Sequence, residues 1–158
     1  LTDGDETNDP FVLSVRSREH YERGHIPGAY NIPWREVASD ANLAYLPTDR
    51  QIVVYCYTGH AGQLAATVLN VLGYDVTNLQ FGMMGWTDDA EVLATEAFAG
   101  AAGYPVETEV NELGETYERP VIDTGESDPT AIAQARAQAF LAAWRPTMAR
   151  PYPALPAT

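Results

Sequence analysis

One cysteine in 158 residues, Cys56, stands between a short apolar run and a glycine-containing loop. Ile52-Val53-Val54-Tyr55 precedes it, enough for one buried strand. Tyr57-Thr58-Gly59-His60-Ala61-Gly62 follows it, and beyond the loop Leu64, Ala65, Val68, Leu69 and Leu72 recur at helical spacing. Strand, tight loop and helix in that order place a thiol at the carboxyl end of a strand, where open α/β sheets bind their ligands. Backbone N–H groups in a tight loop and at a helix start form an anion-binding concavity. A sulfur held there is stabilised as thiolate by those donors and by the helix dipole. Gly59 and Gly62 allow positive φ where the loop must curl. The competing reading makes Cys56 a small buried hydrophobe, the usual state of a free cysteine. Position alone leaves the two readings even.

The elements that must hold this loop come in alternation. Phe11 to Val15 is a strand candidate, and Arg18 to Arg23 a short helix with Ser17 as N-cap and Gly24 as its stop. His25-Ile26-Pro27-Gly28-Ala29 is a turn, because Pro-Gly supplies φ near −65° and then φ > 0. Tyr30-Asn31-Ile32 is a short extended piece, and Trp34 to Leu46 a helix broken near Asp40. Gly73 stops the helix that follows Cys56, and Tyr74 to Leu79 gives another strand. Phe81 to Trp86 is a turn in which Trp86 is expected to act as a core anchor. Thr87 or Asp88 is expected to cap a helix through Phe98. Alternating strands and helices indicate an α/β domain with a mainly parallel sheet, ending near Gly100. Ala99 to Gly103 is a small-residue linker. Residues 105–122 suit a hairpin, and Asp128-Pro129 starts a helix to about Trp144. Its stripe of Ile132, Phe140, Leu141 and Trp144 is expected to pack onto the domain. Residues 145–158, with four prolines, form a tail.

The formal net charge is −13, and the nine basic residues are all Arg. That balance argues against nucleic acid and anionic membrane as partners. No run approaches a transmembrane span. One Cys and three dispersed His give no metal-ligand spacing, so neither a metal nor another cofactor is expected. Cysteine count leaves the compartment open. Leu1 is not an initiator Met, so an upstream segment is expected, and it leaves room for a lost signal peptide.

Three segments together resemble the rhodanese family, the thiosulfate sulfurtransferases. The first is Leu13-Ser14-Val15-Arg16-Ser17 with Glu19 and Tyr21, then Gly24-His25-Ile26-Pro27-Gly28-Ala29-Tyr30-Asn31-Ile32-Pro33. The second is the Cys56 loop. The third is Gly73-Tyr74-Asp75-Val76 leading to Leu79, Gly82-Met83 and Gly85-Trp86. The resemblance implies a twisted parallel sheet flanked by helices over residues 1–100. Residues 101–158 form a C-terminal extension with a hairpin, one helix and a Pro-rich tail.

It also implies that Cys56 attacks a sulfane-sulfur donor, becomes a persulfide and passes the outer sulfur to a thiol or similar acceptor. The substrate-binding residues are then Tyr57, Thr58, Gly59, His60, Ala61 and Gly62. Their backbone is the cradle, and Thr58 and His60 are the side chains nearest the sulfur. His60 is a candidate proton shuttle, and His25 is expected to make a structural hydrogen bond. His20 is expected to lie exposed on the first helix. Arg16 and Arg35 are candidates to lend positive charge at the thiol mouth or to pair with Glu19 and Glu36.

Two departures bear on the donor. The family's loop carries Arg five positions after the cysteine, where this chain has Ala61, and Ser14 replaces an early aspartate. Arg is the side chain for bidentate recognition of an oxyanion. A lost charge-assisted hydrogen bond costs about 1.5–3 kcal/mol, roughly ten- to a hundredfold in rate or affinity. Weak thiosulfate activity is therefore expected, with a polysulfide, a small persulfide or a persulfidated protein as the better donor. Related cell-cycle phosphatases carry Arg six positions after the cysteine, where this chain has Gly62, so phosphatase chemistry is not expected. The rival to a sulfurtransferase or persulfide carrier is a non-catalytic module for protein interaction or redox sensing. Retention of Cys56 favours the enzyme, while Ala61 and Ser14 favour the module.

Overall fold

The computed structural model describes residues 8–94, 108, 116, 118–121 and 123–143. Four short strands, β1 (Phe11–Ser14), β2 (Tyr30–Asn31), β3 (Ile52–Tyr55) and β4 (Val76–Asn78), form one parallel sheet in the order β2-β1-β3-β4. The register sets Leu13 against Tyr30 and Val54, and Ile52 against Val76. The two inner strands are near-continuous apolar runs, as parallel strands covered on both faces require. Successive side chains point to opposite faces. Leu13, Val15, Ile52, Val54 and Cys56 belong to one core, and Val12 and Tyr55 to the other.

Helices cover both faces. α1 (Arg18–Arg23) starts as expected, with Ser17 Oγ accepting the His20 N–H at 3.3 Å. The segment from Trp34 to Leu46 winds into a 3-10 turn, Trp34–Glu36, and the single-turn α2 (Asp40–Leu43). The chain unwinds between them, and Val37 and Ala38 there are fully buried. α3 (His60–Val71) presses Ala65, Ala66, Val68 and Leu69 into the first core, and Gly73 follows at φ 96°. β4 is shorter than the expected Tyr74–Leu79, because the Tyr74 N–H is spent on the Leu69 carbonyl at 3.1 Å.

α4 (Ala90–Leu93) is capped by Asp89, not by Thr87 or Asp88. The Asp89 carboxylate accepts from the Glu91 and Val92 N–H groups at 3.0 and 3.3 Å. α4 ends at Leu93, where Ala94 turns left-handed at φ 51°, and the rest of the expected helix, to Phe98, lies outside the described residues.

The extension packs onto the domain through α5 (Pro129–Ala143), started by Asp128, whose carboxylate accepts the Ala131 N–H at 2.9 Å. Ala137 and Leu141 enter the first core. Arg35 donates to the Leu141 carbonyl at 2.9 Å and Gln138 to the Ala38 carbonyl at 3.0 Å. Phe140, expected in the packing stripe, is exposed, because the Ala-rich helix seats only a narrow edge on the domain. The linker at 99–103, most of the expected hairpin at 105–122, Trp144 and the tail lie outside the described residues. No described helix is long and apolar enough to cross a membrane.

Candidate active site around Cys56

Cys56 follows the last residue of β3 and is 2% exposed. The chain curls at once, so that the Gly59 N–H donates to Cys56 Sγ at 3.2 Å. That curl needs Gly59 at φ 93°, a left-handed backbone natural to glycine. Gly59 is also the N-cap of α3, and no side chain caps this helix. The sulfur thus meets the positive end of a 12-residue helix. The Gly59 carbonyl accepts from the Gln63 N–H at 2.9 Å and from Asn78 Nδ2 at 3.1 Å. Thr58 Oγ1 and His60 Nδ1 lie 2.8 Å apart, with His60 exposed. Ala61 is half-buried against the core, and Gly62 is buried at the floor of the loop.

A second turn backs the first. After β4 the chain winds through Gly82–Gly85, and the Met83 and Met84 N–H groups donate to the Cys56 and Tyr57 carbonyls, each at 2.9 Å. Gly82 stands at φ 53°, and a Cβ there would lie 2.4 Å from the Cys56 carbonyl oxygen and 3.1 Å from the Gly59 nitrogen. Backbone faces backbone at this point, so no rotamer relieves the contact. Gly82→Ala is therefore expected to cost about 2–4 kcal/mol through combined strain and overpacking. Thermal melting checks it, and an unchanged Tm contradicts the close apposition of the two turns. Trp86 is not the core anchor expected of it: it is 49% exposed, and Met83, at 1%, takes that place.

The side chain next to the cysteine is tied outward. The Tyr57 hydroxyl lies 2.7 Å from His20 Nδ1 and accepts from the Ser17 N–H at 3.2 Å, and its ring packs edge-on against His20. His20 is thus half-buried on Tyr57, where exposure was expected. Arg16 neither reaches the thiol mouth nor pairs with Glu19. It is wholly buried, donates to the Gly24 and His20 carbonyls at 2.9 and 2.7 Å, and lies 5.2 Å from the centre of the Tyr57 ring. Arg35 stacks on Trp34 at 4.1 Å and serves α5. His25 has the structural role expected, with Nδ1 2.9 Å from the Tyr21 carbonyl and its ring stacked on Tyr21 at 3.9 Å. Burial pushes the Tyr21 hydroxyl pKa up, and that hydroxyl donates to the Ala29 carbonyl at 2.6 Å.

The six residues after Cys56 form the curl and the first turn of α3. Asn78 and His20 join them unannounced, since no spacing in the sequence links them to the loop, while the Gly82–Gly85 turn belongs to the third segment of the resemblance. Among the described residues no group of three or more His, Cys, Asp or Glu side chains could hold a metal ion.

A parallel sheet between two helical layers, with a cysteine curled under a helix start at the end of an inner strand, defines an α/β domain with its one thiol at the carboxyl end of the sheet. The model of the rhodanese-like domain family matches residues 1–89, and the chain belongs to that family. Thiosulfate sulfurtransferase GlpE of Pseudoalteromonas translucida is 30% identical over 86 residues, covering 51% of this chain and 76% of that protein. The putative sulfur carrier protein YrkF of Bacillus subtilis is 37% identical over 81 residues, 51% of this chain and 43% of the relative. The HTH-type transcriptional regulator Rv0324 of Mycobacterium tuberculosis is 39% identical over 83 residues, again 51% of this chain but 36% of the relative. The chain thus spans less than half the length of these last two. Among solved structures, the rhodanese-like domain protein from Staphylococcus aureus is 26% identical with a TM-score of 0.49, covering 53% of this chain and 80% of that one.

Proposed function

We propose that this protein is a sulfurtransferase or persulfide carrier with Cys56 as its nucleophile and residues 1–100 as the unit that carries the chemistry. The observation that supports it most is the Gly59 N–H on Cys56 Sγ at the start of a helix that no side chain caps. The thiolate attacks the outer sulfur of a donor R–S–S⁻. A new S–S bond forms on Cys56, the old one breaks, and R–S⁻ leaves with the electron pair. The product, a Cys56 persulfide anion, extends the negative charge toward the α3 N–H groups. An acceptor thiolate then attacks that outer sulfur, takes it as R′–S–S⁻ and returns the Cys56 thiolate. Neither step needs an external oxidant or reductant. His60, exposed and bonded to Thr58, is placed to exchange a proton with an acceptor thiol.

The donor follows from the charges. Arg16, the cation packed against the loop, is buried and committed to carbonyls, and position 61 carries a methyl group. Neither forks onto a sulfonate, so a polysulfide, a small persulfide or a persulfidated protein suits the loop better than thiosulfate. Steady-state sulfur transfer from inorganic polysulfide to a thiol acceptor tests the reading. Turnover that exceeds the uncatalysed exchange supports it, and a rate equal to that of free cysteine sinks it.

The second reading, a non-catalytic interaction or redox-sensing module, is favoured by the 2% exposure of Cys56. Thiol alkylation as a function of pH separates the two. A profile displaced to acid relative to a free thiol marks a primed nucleophile, and an inert thiol marks the module.

A further inference from the structure

One polar side chain at the cradle has no part in that chemistry. Asn78, at the end of β4, donates from Nδ2 to the Gly59 carbonyl at 3.1 Å. Its Oδ1 is buried without a hydrogen-bond partner and faces Gly62, where an added Cβ would stand 2.2 Å from it and 3.5 Å from the Cys56 nitrogen. A buried amide oxygen without a partner is costly, and an aliphatic side chain would fill the same space free of that cost. What only the amide supplies is the donor to Gly59.

We infer that Asn78 is a positioning residue for the Cys56 sulfur, an inference that rests on the sulfur chemistry proposed above. The Gly59 carbonyl and the His60 N–H are the two ends of one planar peptide group. Holding the carbonyl from two sides, by Gln63 within α3 and by Asn78 on β4, fixes which way the His60 N–H points. It also keeps Gly59 at φ 93°, the conformation in which its own N–H reaches Sγ at 3.2 Å. Gly62 is the counterpart of this clamp, since the space left by its missing side chain is where Asn78 sits. The clamp ties the start of α3 to the sheet and presets the donors before any sulfur arrives, so they need no reorganisation when charge develops.

The test is the alkylation rate of Cys56 by iodoacetamide from pH 5 to 10, with melting curves, for wild type, Asn78→Ala, Asn78→Asp and Gly62→Ala. Asn78→Ala removes the donor. Asn78→Asp keeps the size but turns a carboxylate on the Gly59 carbonyl, and Gly62→Ala pushes Asn78 away from the other side. Each is expected to move the profile toward alkaline pH and to slow alkylation at pH 7 about five- to tenfold, the loss of one hydrogen bond to the charged form. Sulfur loading from polysulfide is expected to slow in parallel. A lowered Tm with an unchanged pH profile in whichever variants fold would overturn the inference and leave Asn78 a structural residue. If the wild type itself takes no sulfur and alkylates as a free thiol, the sulfurtransferase reading fails. If the wild type loads and the variants load equally fast, only the role of Asn78 fails.

Discussion

Cys56→Ser is expected to abolish sulfur loading, with at least about a thousandfold loss in transfer from any donor. An alkoxide is out of reach at neutral pH, and sulfur transfer needs a thiolate nucleophile that a serine cannot supply. The exchange changes one atom in a buried site, and a serine Oγ can still accept the Gly59 N–H that now meets Sγ at 3.2 Å. The fold is therefore expected to lose no more than about 1 kcal/mol, since the packing is kept and a hydrogen bond is retained. Equal melting temperatures together with lost transfer assign the chemistry to the sulfur. The chain has no second cysteine, so no neighbouring thiol can take over. Residual loading of the serine variant, measured as covalent mass after denaturation, contradicts the assignment outright.

Ala61→Arg is expected to raise thiosulfate-dependent loading roughly ten- to a hundredfold, the worth of one charge-assisted hydrogen bond to an oxyanion. Residue 61 lies in the first turn of α3, half-buried at the edge of the cradle. A guanidinium there would add the fork that Arg16 cannot offer, because Arg16 is held under the loop by the Gly24 and His20 carbonyls. The gain is expected for thiosulfate and not for an uncharged organic trisulfide, and to shrink as salt is raised. A parallel rise with both donors would mean that the new cation acts on the Cys56 thiolate rather than on donor recognition. Kinetics with the two donors at matched ionic strength distinguish the cases.

Much of this architecture is legible in the residues because it rests on local rules. Ser17 and Gly24 bound α1 as capping predicts, Gly73 follows α3 at φ 96°, and the apolar runs at Phe11 and Ile52 become the inner strands. The cradle is legible for the same reason: strand, curl and helix start are consecutive, and a glycine is needed at position 59. What escapes the sequence is pairing across distance. Asn78 meets a carbonyl 19 positions away, and Tyr57 joins His20 and Ser17 from 37 and 40 positions away. No period or motif encodes those contacts. Arg16 misleads for a related reason. Arginine reads as a surface charge, but carbonyls left over at the end of α1 and in α4 can take both terminal nitrogens of a buried guanidinium. Trp86 misleads in the opposite sense, because the flexible Met83 fills the core gap where a rigid indole was expected.

The most direct test of the central claim is the intact mass of the reduced protein after incubation with inorganic polysulfide, with glutathione persulfide and, separately, with thiosulfate. One added sulfur, located on Cys56, removed by a thiol and absent from Cys56→Ser, is the predicted result with polysulfide and glutathione persulfide, with little or none from thiosulfate. An unmodified mass with all three donors would contradict the account and leave the domain an interaction module with an inert buried thiol.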